Sequence, residues 1–92
     1  MDINYETISE IYGTDILSNL HTEYDVTNFV NNIRYLQEKN IECIDEIVSS
    51  YFPLFIYENT LFKKNVDNLL NRLGKDYIDI IAEDMDVLAE LL

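Results

Sequence analysis

The sequence predicts an all-α fold: a compact bundle of about five to six short helices, read in one arrangement as two helix–turn–helix pairs in tandem. Three observations carry this. Apolar residues recur at i, i+3, i+4 and i+7 along the chain. Only one short apolar run, Leu54-Phe55-Ile56-Tyr57, has strand character, and it has no second candidate to pair with. Breakers fall at intervals that delimit short helices (Gly13, Asn40, Pro53 and Gly74), while two Gly and one Pro in 92 residues leave no long linker. Residues 1–92 are expected to form a single acidic helical domain, because this length supplies one core and not two.

In chain order, Tyr5, Ile8, Ile11 and Tyr12 mark a first short helix that Gly13 stops. Thr14 is placed to cap a second, carrying Ile16, Leu17 and Leu20. His21 to Tyr24 reads as a connector. The clearest stripe follows, with Val26, Phe29, Val30, Ile33 and Leu36 on one face, capped by Asp25 or Thr27. Asn40 ends it, since Asn tolerates the left-handed conformation. A helix from about Ile41 carries Ile44, Ile47, Val48 and Tyr51 until Pro53 breaks it. Leu54 to Tyr57 is expected as a buried connector. Asn59 or Thr60 caps the next helix, with Phe62, Val66, Leu69, Leu70 and Leu73 inward and Gly74 just past its end. The last segment, from Asp76, places Ile78, Ile81, Ala82, Met85, Leu88 and Leu92 on one face. A break is expected near Asp84–Asp86, with Asp86 as cap.

Val30-Asn-Asn-Ile33 through Ile44 echoes Val66-Asp-Asn-Leu69 through Ile80 at an offset of 36 residues, a spacing typical of helix-pair repeats. The run from Ile33 through Tyr51-Phe52-Pro53-Leu54-Phe55 to Leu73-Gly74 and on to about Leu88 resembles the repeat of the mitochondrial transcription termination factor family. In that pattern a helix ends in Leu-Gly and a second leads to an aromatic-Pro-x-Leu turn. Lys39-Asn40 departs from the expected Gly. The resemblance implies a helix-pair architecture. That family's basic superhelices bind duplex DNA, and an acidic chain of this length does not inherit that function.

Eighteen acidic against six basic residues give a net charge of −12, unevenly spread. Residues 1–33 hold six carboxylates and no base, residues 34–75 hold six of each, and residues 76–92 again hold six carboxylates and no base. Phosphate contacts need Lys and Arg, so no direct nucleic acid binding is expected. An anionic membrane surface is disfavoured in the same way. The opening MDINYETISE has no basic or apolar region of a signal peptide, and no apolar run approaches the ~20 residues that span a bilayer. Together with a single cysteine, this points to a cytoplasmic protein. The Ile, Asn and Tyr usage fits an A/T-rich genome, such as a phage or mobile element of a low-G+C bacterium.

No catalytic set emerges. His21 stands alone in a loop, Gly13 and Gly74 are isolated, and no Cys/His cluster has zinc spacing. Cys43, beside Ile44 on an expected helix, has Glu42, Asp45 and Glu46 as neighbours, which raise a thiol pKa and so disfavour a nucleophile. The expectation is a non-enzyme with no cofactor and no metal.

Asp79, Glu83, Asp86 and Glu90 recur at i, i+4, i+7 and i+11 and share one helix face opposite Ile78, Ile81, Met85 and Leu88, a pattern that reads as a solvated face, as a docking stripe for a basic groove or, least of the three, as a divalent metal site. Like charges so spaced cost a few tenths of a kcal/mol each, and no base follows Lys75 to offset them. Glu6, Glu10, Glu23 and Asp25 repeat the habit at the other end. Tyr35 lies off the Phe29–Ile33–Leu36 stripe and is expected to be exposed, as tyrosines at interfaces often are.

These residues suggest a small acidic inhibitor of a nucleic-acid-handling protein, of the anti-CRISPR, DNA-mimic or nuclease-immunity kind, that occupies a basic protein surface. Two alternatives stand beside it. One is a helical adaptor with an apolar groove around Phe52, Phe55 and Tyr57. The other is a homo-oligomeric module, the sequence leaving monomer and dimer both open.

Overall fold

A computed structural model of the chain describes residues 19–92. The two short helices expected before residue 20 fall outside that range, apart from Leu20, which is buried. The described chain runs α1 (Glu23–Glu38), α2 (Ile44–Ser50), a 3-10 helix η1 (Phe52–Ile56), α3 (Asn59–Leu73), α4 (Tyr77–Glu83) and a second 3-10 helix η2 (Met85–Leu91). No strand occurs among the described residues, and the expected all-α bundle is the observed architecture.

α1 begins earlier than its apolar stripe suggested. Thr22, not Asp25 or Thr27, is its N-cap: Thr22 Oγ1 accepts from the Asp25 N–H at 3.1 Å. Asp25 Oδ2 in turn accepts from the His21 N–H at 3.1 Å. This reciprocal pair resembles a capping box and satisfies donors the first turn leaves open. It draws Glu23 and Tyr24, read from sequence as connector, into the helix. At the other end Asn40 adopts φ 61°, the Asn40 N–H donates to Gln37 O (3.0 Å), and the Ile41 N–H donates to Leu36 O (3.1 Å). This is a Schellman stop, and both Ile41 and Leu36 are buried across it.

α2 starts three residues later than expected because Cys43 is also left-handed, at φ 54°. It ends before Pro53, whose ring disfavours helix at Phe52. Leu54 to Ile56 do not run as an irregular connector. Phe52–Ile56 wind into η1, where Pro53 sits in the first turn and its missing N–H costs nothing. Leu54 and Phe55 are buried. The ring of Phe29 on α1 lies 5.9 Å from Phe52 and 6.1 Å from Phe55, and Phe55 lies 5.9 Å from Phe62 on α3. Four aromatic rings thus join α1, η1 and α3 at distances where such pairs attract.

Beside these rings the structure buries two amides. Asn32 is wholly buried, and its Nδ2 donates to Phe55 O (3.0 Å) and Tyr57 O (2.9 Å). Its Oδ1 accepts from Asn59 Nδ2 (2.9 Å). One turn earlier, Asn28 Oδ1 accepts from the Asn59 backbone N–H (3.2 Å). Neither Asn59 nor Thr60 caps α3 by its own side chain, and Glu58 at the cap position makes no side-chain bond. The cap comes instead from Asn28, across the bundle.

α3 stops at Gly74, whose φ of 82° and ψ of −165° suit glycine alone. The terminal segment is broken. α4 ends at Asp84, and Asp84 rather than Asp86 caps the next turn, its Oδ1 accepting from the Asp86 N–H at 3.1 Å. Ile81 and Leu88 are buried, whereas Ala82 and Leu92, expected on the same inner face, are exposed. The elements therefore fall into two units of one plan, a long helix, a seven-residue helix and a 3-10 helix: α1–α2–η1 and α3–α4–η2. Val30 and Val66, and Ile33 and Leu69, are buried pairs at the offset of 36, while Val48 pairs with Ile81 and Phe55 with Leu88 at 33.

Asn32→Ala is expected to cost about 2–4 kcal/mol, because it orphans buried backbone carbonyls and the Asn59 amide together. Asn32→Asp is expected to cost at least as much, since an ionised carboxylate cannot donate to the two carbonyls. Urea unfolding measures both. Gly74→Ala meets no neighbouring atom, so its expected cost of ~1–3 kcal/mol is backbone strain alone and shows as a lower urea midpoint.

Candidate partner-binding face

The carboxylates picked out in the last segment do not form a single helical stripe. The break at Asp84 (φ −144°, ψ 86°) changes the rotation per residue, so the spacing i, i+4, i+7, i+11 no longer marks one face. Asp79 and Glu83 remain together on α4, exposed and without a polar partner among the described residues. Asp86 accepts from the Tyr51 hydroxyl. Glu90 pairs with Arg72 at 2.8 Å, with both side chains largely in solvent, a bond worth at most about 1 kcal/mol.

A different set of acids converges. A hollow of about 270 Å³ between α2 and the α4–η2 junction is lined by Cys43, Glu46, Ala82, Glu83, Asp84, Met85 and Asp86. It holds four carboxylates and no base. Glu42 and Asp45, both exposed, flank it in sequence. Glu46 belongs to the segment 34–75, which balances to zero as a whole although Glu42, Asp45 and Glu46 form a local acidic run, and Asp84 falls outside the i, i+4, i+7, i+11 spacing of its neighbours. Cys43 is half-buried and lies before α2 rather than on it. Burial first, then Glu46 and Glu42, push its thiol pKa up, as expected for an unreactive cysteine. No three His, Cys, Asp or Glu among the described residues are placed to hold a metal ion.

Glu23 and Asp25 stand in the first turn of α1. The opposite end of α1 meets α4, where the Tyr77 hydroxyl donates to Lys39 O (2.9 Å). Sixteen residues of helix separate these ends by about 24 Å, so the structure does not join this pair to the acidic hollow. Asp25 is spent on the cap. Glu6 and Glu10 lie outside the described residues.

Tyr35 is half-buried rather than exposed, because α3 packs beside it. Its hydroxyl donates to Asp67, and the ammoniums of Lys39 and Lys63 lie 5.3 and 5.4 Å from its ring centroid. Burial, then the hydrogen bond and charge of Asp67, push its pKa up to about 12. Tyr35, Tyr51 and Tyr77 therefore act as straps between elements, and of the five tyrosines in the described range only Tyr24 is largely exposed. Of the residues of the expected groove, Phe55 is fully buried, while Phe52, packed on Phe29, and Tyr57 are half-buried against the core.

No family model, curated protein or solved structure matches the chain. No described helix is long and apolar enough to cross a membrane.

Because the folded state holds the Tyr35 proton to higher pH than the unfolded chain, its stabilisation is complete below pH 10 and lost as pH rises from 10 to about 12. Tyr35→Phe should flatten that part of the fall. Comparing urea midpoints of the two proteins across this range isolates the contribution of the phenol.

Proposed function

We propose that this chain is a non-enzymatic protein-binding module that inhibits a nucleic-acid-handling protein by occupying its basic surface. The single observation that carries the reading is the hollow between α2 and the α4–η2 junction, where Glu46, Glu83, Asp84 and Asp86 come together with no base among its lining residues. Gathering like charges costs stability in a domain with little to spare. A gathered negative face steers a basic partner by long-range attraction and holds it in one orientation. Asp79 extends the face along α4. Glu90, neutralised by Arg72, contributes less.

The full burial of Phe55 weighs against the adaptor alternative, since the residue at the centre of its groove is core. The two tandem units support reading the chain as a short relative of the helix-pair repeat it resembles, in architecture and not in DNA binding. A cytoplasmic setting in a bacterial host belongs to the same proposal.

The test is capture from a bacterial lysate on immobilised wild type and on Glu46→Lys/Glu83→Lys, with elution by salt and competition by duplex DNA. The proposal expects basic nucleases, polymerases or effector proteins on the wild type alone, released by high salt and displaced by DNA. Retention of the same proteins by both baits, or retention that salt and DNA leave unchanged, would overturn it.

A further inference from the structure

Three of the lysines gather around two tyrosines rather than around carboxylates. With three acids for every base, most lysines are expected to find a carboxylate. Yet Arg72 is paired with Glu90, while Lys39, Lys63 and Lys75 have no ion pair among the described residues. Lys63 and Asp67 stand four apart on α3, an ordinary pairing distance, but Asp67 is turned to the Tyr35 hydroxyl. Lys39 and Lys63 rest over the Tyr35 ring instead. Two adjoining hollows continue this strip. One, of about 230 Å³, includes Arg34, Tyr35, Glu38 and Lys63 in its lining. The other, of about 570 Å³, includes Lys39, Asp67, Lys75 and Tyr77. Among the described residues the strip across α1 and α3 thus gathers Lys39, Lys63 and Lys75 beside Glu38 and Asp67, on a chain of net charge −12.

We propose that this lysine–tyrosine strip is a docking surface for the carboxylate face of a second copy of the chain, Glu46 and Glu83 foremost, so that copies associate head to tail. The complementarity is on the molecule itself: one face of gathered lysines, another of gathered carboxylates without a base. A nucleic acid or an anionic bilayer presents negative charge along its whole length, and a net charge of −12 is repelled from it. A second copy presents Glu46, Glu83, Asp84 and Asp86 on one face, with Glu23 and Asp25 at the far end of α1. The narrowest extent of the fold is 23 Å, so two centres lie about three screening lengths apart at 0.15 M salt, where that length is about 8 Å. Contact pairs escape this screening while the overall repulsion does not. At about 0.01 M the screening length of roughly 30 Å exceeds the separation and repulsion dominates. At about 1 M the contacts are screened as well. Association therefore peaks at intermediate ionic strength. Because the two docked faces differ, the contact is heterologous and grows open chains or rings rather than a two-fold dimer.

This inference goes beyond the proposed function and needs no partner for its test. Sedimentation velocity is run on the full chain at about 0.01, 0.15 and 1 M salt, for the wild type, for Lys39→Glu/Lys63→Glu, for Glu46→Lys/Glu83→Lys, and for an equal mixture of the two variants. The expected result is larger species for the wild type at the middle salt alone, self-association weakened about tenfold or more in each variant, and a one-to-one complex in the mixture. The Glu→Lys pair removes four units of negative charge, so mere relief of repulsion strengthens its association where the proposal weakens it. A mass that does not change with salt, association that persists at the highest salt, or variants that behave as wild type would overturn it. Circular dichroism checks that each variant is folded, and Lys39→Gln/Lys63→Gln replaces a pair that is not.

Discussion

The buried amide of Asn32 is the constraint on which the arrangement of helices depends. A polar side chain with no exposure must find all its partners inside the protein, and Asn32 finds them on three other residues: the carbonyls of Phe55 and Tyr57 and the side chain of Asn59. These lie at the end of η1 and the start of α3. The amide therefore fixes where the chain turns after Pro53 and the point from which α3 sets out. Asn28 adds the cap that α3 lacks locally. Apolar contacts among Phe29, Phe52, Phe55 and Phe62 supply burial, which is tolerant of small rotations. The amide bonds are directional and select one arrangement from those the rings permit.

The two units share a plan but not an environment. Val30, Ile33, Val48 and Phe55 of the first have buried counterparts in Val66, Leu69, Ile81 and Leu88 of the second. On the face of α1 that receives η1, Phe29, Asn32 and Leu36 are buried. The matching residues of α3 are Asn65, Asn68 and Arg72, half-buried or exposed. The first unit covers these positions with η1, and the second turns polar residues outward at them. The Arg72–Glu90 bridge tethers the end of η2 to this polar face.

Charge follows the same logic of place rather than of segment. The middle of the chain is neutral by count, but folding places Glu46 against the acidic residues of α4 and η2, and gathers Lys39, Lys63 and Lys75 around Tyr35 and Tyr77 with Glu38 and Asp67 beside them. The tyrosines make this sorting possible. Their hydroxyls occupy Asp67 and Asp86, which in an ordinary acidic helix would pair with lysines, and their rings give the lysine ammoniums somewhere to rest.

The sequence by itself determined the all-α class, the inward residues of α1 and α3, and the stops at Asn40, Pro53 and Gly74. Each depends on periodicity or on local backbone preference, which a chain carries wherever it goes. Tertiary structure alone decided the rest. The cap of α3 by Asn28 and the burial of Asn32 join residues some thirty positions apart. Their only local trace is an amide pair four residues apart beside the apolar stripe. Tyr35 is half-buried because α3 lies against it, and the terminal acidic stripe broke because the Asp84 side chain offered the backbone a better partner than continued helix. The acidic hollow needed α2 and α4 side by side. Periodicity shows which face of a helix is apolar, but which polar faces meet is set by packing between elements that are distant in sequence.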